Sequence, residues 1–507
     1  MAPSSSSTAP DHPGWAPLIA VCLGTFMLLV DVTIVNVALP DMALDLNASF
    51  AGLQWVVDIY ALALAALLLI IGSLSDIVGR RRTYVVGLVI FIAASFACGI
   101  APSQAVLVTA RAVQGVGAAA MFATTIALIN ASYSGRARGV AFGIWGATNG
   151  AAAAAGPIVG GLLTQGLSWR WVFFVNVPIG LVTIVVARRA LRETQPGNQK
   201  QIDWAGGLTF TLAAAAATIA LVRANDEGWA SGQTLGLLAL ALVALLAFVV
   251  IERRSAEPLF DLALLRRGPL AGILIAAIVY SAAAFAALVY ASIWLQTILG
   301  LGPIAAGLVT LPLSALAFVV AATSGRFLHG VSPRLVLGGG LALIAVGDLV
   351  QLGLDGSSGW PRLIVGLALV GIGTGVMSPA LASSAMGAVP MERSGMAAGA
   401  VNTARQVGLA FGIAVLGSVF SSHITSHLAG QPSGERLADA ASSGAAQSVL
   451  AHAPAGAHAQ LEAVLRDAVG SALGTTFVVA GVIGAVGTAL VFALVRQRRE
   501  APVAAAR

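Results

Sequence analysis

Apolar runs of about 20 residues recur along almost the whole chain, and they restrict the fold more than any other feature. An α-helix needs a run of that length to cross the hydrocarbon core of a bilayer. The chain is 58% hydrophobic and 9% charged, whereas soluble proteins carry about 25% charged residues. Barrel strands would alternate apolar and polar residues, and these runs do not. The sequence therefore predicts an all-α polytopic membrane protein.

The loops between the runs predict the orientation. We expect fourteen spans, at residues 15–39, 53–72, 83–101, 105–129, 138–162, 171–188, 204–222, 232–251, 269–295, 304–325, 334–354, 362–387, 395–421 and 470–495. Of the 27 Lys and Arg residues, 20 lie on the side that carries both chain ends. The positive-inside rule therefore predicts cytoplasmic termini. The single Lys, with abundant Ala and Gly, is typical of a high-GC bacterium, so we expect a bacterial cytoplasmic membrane.

Two strongly basic loops divide the chain. Residues 189–203 and 252–268 bracket the seventh and eighth spans, which indicates a helical hairpin inserted between two halves. A weak repeat, Gly72 to Arg82 and Gly325 to Arg334, follows the second span of each half, and repeated halves with a midplane site are typical of transporters. The predicted units are a tail (1–14), a six-helix bundle (15–188), the insertion (189–268), a second six-helix bundle (269–495) with a long extracytoplasmic loop (422–469), and a tail (496–507).

Five motifs follow one another in order along the first six spans. They are Leu29-Val-Asp-Val-Thr-Ile-Val-Asn-Val-Ala-Leu-Pro40, Gly72-x-Leu-x-Asp-x-x-Gly-Arg-Arg81, Arg111-x-x-Gln-Gly-x-Gly117, Gly150 with Gly156-Pro-x-x-Gly-Gly161, and Trp169-Arg-Trp-x-Phe-x-x-Asn-x-Pro178. Together they resemble the major facilitator superfamily, and in particular its fourteen-helix drug:proton antiporter branch. The resemblance covers nearly the whole chain.

The resemblance implies two six-helix bundles with an inserted two-helix hairpin. It also implies proton-coupled efflux of drugs, antibiotics or other amphipathic compounds by alternating access. Two rivals within transport stay open, a proton-coupled exporter of a lipid or siderophore and a small-solute uptake transporter. A membrane enzyme is disfavoured, because no metal-ligand set and no Ser-His-Asp arrangement has credible spacing.

The expected partners follow from the same features. They are the lipid bilayer and small amphipathic molecules, and we expect a functional monomer. The chain's one Lys, Lys200, is followed by Gln201 and lacks a phosphate-binding glycine loop, so no nucleotide is expected. Nucleic acid is not expected either, since the basic residues lie in short loops between spans. The proton is the expected coupling ion, with no other cofactor and no metal.

Charged residues within the predicted spans are candidates for proton coupling. Asp31, Asp58 and Arg111 lie at similar depths on first-half helices. A carboxylate at such a depth is costly unless it is paired with a cation, solvated by water or protonated. A carboxylate that carries protons changes between the charged and the protonated form. We predict that Arg111 pairs with one of the two carboxylates until substrate or a proton rearranges the pair, and the alternative is a static ion pair that only fixes helix packing.

Two further groups of residues are expected to serve conformational change. A cytoplasmic turn with Gly72, Asp76, Gly79, Arg80 and Arg81 is predicted to form a latch between helices. In the fifth span, a proline kink and small residues that permit close helix contact are expected at Gly150, Gly156, Pro157, Gly160 and Gly161.

The remaining candidates are polar or aromatic residues within spans, which are expected to line a substrate cavity. They are Asn36, Tyr60, Trp145, Asn149, Asn402, Arg405 and Gln406. Arg405 lies near the midplane and requires an anionic or carbonyl partner, which the sequence does not identify. In the long loop, residues 459–469 are expected to form a short amphipathic helix on the membrane surface.

Overall fold

The fold is entirely helical in the part of the chain that the computed structural model describes. Helix follows from the apolar runs, because backbone polar groups in lipid must be satisfied within the segment itself. Ser103, Asp203 and Ser231 cap the helices that follow them by accepting backbone N–H groups. The described residues are 14–46, 48, 50–193, 202–267, 269–327, 330–431, 433–444, 446–452 and 458–495.

Long helices alternate with a few short ones. The α-helices of the described ranges are α1 (Ala16–Asp45), α2 (Phe50–Val78), α3 (Arg80–Gly99), α4 (Gln104–Ser132), α5 (Gly135–Gly166), α6 (Trp171–Phe174), α7 (Asn176–Ala190), α8 (Trp204–Glu227), α9 (Gly232–Arg254), α10 (Leu262–Arg267), α11 (Leu270–Ile293), α12 (Pro303–Phe327), α13 (Pro333–Leu349), α14 (Leu363–Ala388), α15 (Ser394–Leu428), α16 (Gly434–Ser442), α17 (Ala446–Ala451) and α18 (His458–Leu494).

Two six-helix bundles and a two-helix hairpin make up the membrane region. Within the described residues, twelve segments are long and apolar enough to cross a bilayer, and α6 and α7 together form one of them. The other two bundle members are α5, which is rich in Gly and Ala, and the 17-residue α13. The first bundle comprises α1 to α7, and the second comprises α11 to α15 with α18. We call the face at which α1 begins and α18 ends the terminal face, and the opposite one the far face.

The two bundles meet along two seams. Helix α5 packs against α12 on one side, and α2 packs against α15 on the other. Inside the first bundle, α4 lies against α2 and α3, and α1 lies against α5 and α7. Inside the second, α11 contacts α15, and α13 contacts α14 and α18. Any rearrangement of one bundle relative to the other must therefore change the α5–α12 and α2–α15 seams.

The inserted hairpin of α8 and α9 covers the α2–α15 seam. Helix α8 packs on both α2 and α15. Thr211 Oγ1 donates to the carbonyl oxygen of Ala66 at 3.1 Å, and Trp229 Nε1 donates to Ser418 Oγ at 2.5 Å. Since Ala66 belongs to the first bundle and Ser418 to the second, the hairpin contacts both. Most side chains of α9 are exposed on the side away from the bundles, as expected of a lipid-facing helix.

The structure differs from the sequence prediction around the long loop. Helix α15 continues to Leu428 and α18 begins at His458, so much of the segment 422–469 is helical. The predicted separate surface helix at 459–469 is wrong, because these residues are the first turns of α18. Leu465 and Val469 are buried there, and a helix that has formed extends at little cost where its apolar side chains are covered. Helix α1 likewise runs beyond the predicted residue 39.

Candidate functional site

A fully buried ion pair lies inside the first bundle. Arg111 on α4 donates through Nη1 to Asp31 Oδ2 on α1 at 2.5 Å, and both side chains are 0% exposed. Removing one partner of such a pair costs about 3–5 kcal/mol, because the other charge stays buried without compensation. The two charges therefore hold α1 and α4 together for as long as both are present.

Amide side chains complete the coordination of Asp31. Gln114 Nε2 and Asn176 Nδ2 each donate to Asp31 Oδ1 at 2.9 Å. Asn176 also donates to Ser95 Oγ at 3.1 Å, and Gln114 Oε1 accepts from Arg111 Nη1 at 2.9 Å. The carboxylate thus receives three hydrogen bonds from side chains on two other helices. Hydrogen bonds to a charged group are worth about 1.5–3 kcal/mol each, which fixes the orientation of the carboxylate.

The guanidinium of Arg111 is held on its other sides by α2. Arg111 Nε donates to the carbonyl oxygen of Val56 at 2.9 Å, and Cζ lies 4.2 Å from the centroid of the Tyr60 ring. Arg111 Nη2 has no hydrogen-bond partner among the described residues. Arg111 Nη2 is therefore the least constrained atom of the ion pair.

Of the two candidate carboxylates, the structure pairs Arg111 with Asp31. Asp58 lies on α2 two residues beyond Val56, and its side chain is half-buried outside the pair. From the sequence, neither Gln114 nor Asn176 was expected to bind Asp31. Both nevertheless lie within the quoted motifs, and their position in those motifs was the available signal.

A second cluster of charges joins the two bundles at the terminal face. Asp76 Oδ1 accepts from Arg80 Nε at 3.0 Å and from Nη2 at 2.7 Å. The same carboxylate accepts the backbone N–H groups of Gly395 and Met396, each at 2.9 Å. Arg80 Nη2 also donates to the carbonyl oxygen of Met391 at 2.7 Å. Asp76 therefore caps the N-terminus of α15, a helix of the other bundle, as favoured by the helix dipole.

The glycines beside Asp76 allow the helices to approach closely. A Cβ added to Gly72 would lie 2.6 Å from the carbonyl oxygen of Gly395, and one added to Gly399 would lie 2.6 Å from that of Leu68. Real Cβ atoms do not approach backbone oxygens that closely, so larger residues would push α2 and α15 apart. We call Gly72, Asp76, Arg80, Gly395 and Gly399 the latch.

The other two predicted latch residues act within the first bundle. Gly79 has φ +110°, a conformation that L side chains rarely adopt, and α3 starts directly after it. Glu193 accepts the backbone N–H groups of Arg81 and Arg82, each at 3.1 Å, and Arg81 Nη2 donates to the carbonyl oxygen of Arg188 at 2.9 Å. Glu193, which was missed from the sequence, thus caps α3 just as Asp76 caps α15.

The glycines of α5 serve two different contacts. A Cβ on Gly156 would overlap the side chain of Thr33, and one on Gly160 would lie 3.0 Å from Ile34 Cγ1. These glycines therefore let α5 approach α1 beside Asp31. Gly150 instead faces the second bundle, near the Ser314 carbonyl oxygen on α12. A Cβ on Gly161 would meet nothing within 4 Å, and the side chain of Pro157 lies outside the described residues.

The α5–α12 seam is closed from the terminal face to the midplane. Gly139 lies against Gly325, and a Cβ on Gly143 would overlap the carbonyl oxygen of Ala321. Small residues at this spacing bring two helix backbones together. With the latch in place on the α2–α15 seam, both seams are in close contact in this half, and we call this arrangement the closed conformation.

The predicted cavity residues divide into two groups. Tyr60 and Trp145 are buried in the first bundle, and Trp145 Nε1 donates to Thr25 Oγ1 at 3.1 Å. Asn149, Arg405 and Gln406 are only partly buried. Asn402 is buried at the contact between bundles, where Nδ2 donates to the Phe122 carbonyl oxygen at 3.0 Å. The side chain of Asn36 lies outside the described residues.

Arg405 contacts aromatic rings rather than a carboxylate. Its Cζ lies 5.6 Å from the Tyr280 ring centroid and 5.9 Å from that of Phe122. Phe122 belongs to α4 in the first bundle, and Tyr280 belongs to α11 in the second. Asp348, an acidic residue of the second bundle, is buried on α13, where Oδ2 has no hydrogen-bond partner among the described residues. Arg405 and Asp348 are not an ion pair.

The geometry brings together three features. One is a buried carboxylate with a cation beside it, in the half of the first bundle that is nearer the far face. Another is a latch that closes one face, and the third is a polar contact region between the bundles. Across the described ranges, no group of three His, Cys, Asp or Glu side chains has a geometry that would hold a metal ion.

Comparison with known proteins agrees with this architecture. The family model described as Major Facilitator Superfamily matches residues 21–413. The "Multidrug resistance protein Stp" of Mycobacterium tuberculosis is 37% identical over 403 residues, covering 79% of this chain and 75% of that protein. The "Tetracenomycin C resistance and export protein" of Streptomyces glaucescens is 34% identical over 404 residues, covering 80% and 75%.

A solved structure is similar in fold over almost the whole chain. The proton:xylose symporter XylE superposes with a TM-score of 0.63 at 12% identity, covering 95% of this chain and 96% of that one. At that identity the likeness concerns the fold alone. The family model and the close relatives, which span most of the described helices, assign the family. This chain belongs to the major facilitator superfamily.

Proposed function

We propose that this protein exports amphipathic drugs or antibiotics from the cytoplasm in exchange for protons that move inward. Relatives at 34–37% identity are named for multidrug resistance and for the export of tetracenomycin C, which supports drugs as the substrate class. The observation that carries the proposal is the fully buried Asp31–Arg111 pair. A membrane protein retains such a costly pair where charge must appear and disappear during its cycle.

Proton binding to Asp31 would discharge this pair. A neutral Asp31 no longer compensates Arg111, so the arrangement of α1 against α4 loses the strongest contact that the structure gives it. Arg111 then requires another partner, and the bundle changes shape as it finds one. The inward proton supplies about 2.3 kcal/mol per 100 mV of membrane potential and about 1.4 kcal/mol per pH unit.

Alternating access would proceed by opening and closing the two seams. The described conformation has both seams closed near the terminal face, one by the latch and the other by the α5–α12 glycines. We assign the terminal face to the cytoplasm, because 20 of the 27 Lys and Arg residues lie on that side. The chain would then reside in a bacterial cytoplasmic membrane as a monomer, with both termini inside. It would use the proton alone as a cofactor and have no enzymatic activity.

Everted membrane vesicles test the proposal directly. Addition of a transported drug to energised vesicles should release protons, and an uncoupler should abolish drug accumulation. Asp31→Asn should reduce substrate-dependent proton release to the background level, because a neutral amide cannot carry the proton. Asp348→Asn is the matched control, since it makes the same change at a buried carboxyl group that is not paired with an arginine among the described residues.

Two results would contradict the proposal. One is full proton-coupled export by Asp31→Asn, which would remove Asp31 from the coupling step. The other is drug efflux by the wild-type protein that is insensitive to an uncoupler. Equal loss of activity in Asp31→Asn and Asp348→Asn would also count against it, because the effect would then be a general cost of altering buried carboxyl groups.

A further inference from the structure

Arg405 is a cation near the midplane whose charge no described carboxylate balances. It lies on α15 nine residues beyond Met396, or about 13 Å from the latch along the helix axis. No ion pair and no hydrogen bond joins its guanidinium to any residue of the described ranges, and its contacts are the faces of Phe122 and Tyr280. The side chain is only half-buried, so it is accessible to a small molecule at the contact between the bundles.

The two aromatic contacts do not satisfy the guanidinium. A cation above a ring face gains about 0.5–2 kcal/mol, but its five N–H donors remain without acceptors. An arginine placed so deep in a membrane protein normally has an anionic or carbonyl partner. Arg111 shows what that looks like in this chain, because its guanidinium has a carboxylate, an amide and a carbonyl oxygen as acceptors. Arg405 has the donors and lacks the acceptors.

Buried hydroxyl groups lie on the neighbouring helix. Ser378 Oγ and Thr374 Oγ1 on α14 are both buried, and Thr374 Oγ1 has no hydrogen-bond partner among the described residues. Ser378 lies next to the Tyr280 hydroxyl, and a Cβ on Gly146 of the first bundle would lie 3.4 Å from Ser378 Oγ. Tyr280 thus lies between the Arg405 guanidinium and the Ser378 hydroxyl, at the place where the two bundles meet.

This region is separate from the proton-coupling pair. Phe122 lies on α4 eleven residues beyond Arg111, or about 16 Å nearer the terminal face along the helix axis. Asp31 is already engaged by Arg111, Gln114 and Asn176, so it is not available to Arg405. The partner of Arg405 must therefore come from outside the described residues.

We propose that Arg405, with the nearby Ser378 hydroxyl, forms the binding site for the anionic group of an amphipathic substrate. The chemical class is an organic anion with a carboxylate, phenolate or sulfonate on an apolar ring system. The guanidinium pairs with the anionic oxygens, and the Ser378 hydroxyl donates to them. This inference rests on the proposed export function and names part of its substrate range.

Two dyes that share a xanthene ring system test the charge preference. Fluorescein carries a carboxylate and is anionic above neutral pH, whereas rhodamine 123 is an ester with a cationic ring system. Binding to the purified full-length protein is measured by fluorescence polarisation, and transport is measured in inside-out proteoliposomes with an imposed pH gradient. The variants are Arg405→Gln, Arg405→Lys and, as a matched control, Arg334→Gln. Arg334 also lies over an aromatic ring, 5.6 Å from the centroid of Phe492, but on α13 at the terminal face.

We expect Arg405→Gln to weaken fluorescein binding by about tenfold or more, as for loss of a hydrogen bond to a charged group. Arg405→Lys should restore most of the affinity, because it keeps the charge. Rhodamine 123 binding should be unchanged or tighter in both variants. Arg334→Gln should bind both dyes as the wild-type protein does.

Several outcomes would overturn the inference. They are equal fluorescein affinity in wild type and Arg405→Gln, a parallel loss of both dyes, and wild-type binding of rhodamine 123 but not of fluorescein. Gradient-driven rhodamine 123 transport alongside any of these would leave the proposed export function standing. Failure of the wild-type protein to move either dye, or any antibiotic tested, against a gradient would instead reject the export function itself.

Discussion

Replacement of Asp76 by Asn should open the terminal face. In the closed conformation the carboxylate accepts two bonds from Arg80 and one backbone N–H each from Gly395 and Met396. The two backbone bonds join the first bundle to the second, so they are lost when the α2–α15 seam separates. An Asn side chain has one acceptor oxygen and no charge, and its NH2 group would face at least one of the N–H donors.

The size of the effect follows from these contacts. A hydrogen bond to a charged group is worth about 1.5–3 kcal/mol, and loss of a helix N-cap costs about 0.5–2 kcal/mol. Loss of one cross-bundle bond and weakening of the other therefore amount to about 2–4 kcal/mol of closed-state stability. That free energy changes the ratio of open to closed molecules by roughly 30- to 1,000-fold.

Cysteine labelling at the other seam measures this shift. Ser324 is buried on α12 next to the Gly139–Gly325 contact, away from the latch. Ser324→Cys, with Cys22 and Cys98 replaced by Ala, is treated with an impermeant maleimide in everted vesicles, where the proposed cytoplasmic face is outside. Asp76→Asn should raise the labelling rate at least about tenfold, until labelling is no longer limited by opening.

Glu193→Gln is the matched control. Glu193 also caps a helix, α3, but its described bonds to Arg81 and Arg82 stay within the first bundle. Its loss should leave the labelling of Ser324→Cys nearly unchanged. Unchanged labelling in Asp76→Asn, or equal opening in Glu193→Gln, would refute the assignment of Asp76 as a closed-state contact between bundles.

Two further substitutions probe the surroundings of Asp31. Gly156→Ala places a Cβ in overlap with the Thr33 side chain, whereas the Cβ of Gly161→Ala meets open space. We expect only Gly156→Ala to lower the melting temperature, by an amount that corresponds to about 1–3 kcal/mol of stability. Equal melting temperatures of the two variants would contradict this expectation. Asn176→Ala removes one of the hydrogen bonds to Asp31, so resistance to an exported drug should fall while protein abundance in the membrane is unchanged. Undiminished resistance would show that Asn176 is dispensable for positioning the carboxylate.

The spans themselves were predictable because the reason for them is local. A run of about 20 apolar residues in lipid becomes a helix whatever surrounds it, since its backbone groups must bond within the segment. The long loop was the exception. There the extension of α15 and α18 depends on tertiary contacts that bury residues such as Leu465 and Val469. The local sequence does not reveal those contacts.

The motifs also located several important residues in advance. Asp76 was expected at a latch, and the structure places it between bundles; its partners, the backbone N–H groups of Gly395 and Met396, carry no sequence signature. The roles predicted for Asp31, Asp58 and Arg111 in proton coupling remain predictions. What geometry adds is the choice of Asp31 over Asp58 as the partner of Arg111.

The amino-acid sequence by itself determined that this chain crosses a membrane, how it divides, and which charges are placed inside it. Only the tertiary structure decided how those charges are matched. Asp31 and Arg111 are 80 positions apart, and Asp31 and Asn176 are 145 apart. Whether such side chains meet depends on the rotation and depth of each helix against its neighbours, which packing sets. The same packing gives Arg111 its carboxylate and places Arg405 at the contact between the bundles, beside two aromatic rings.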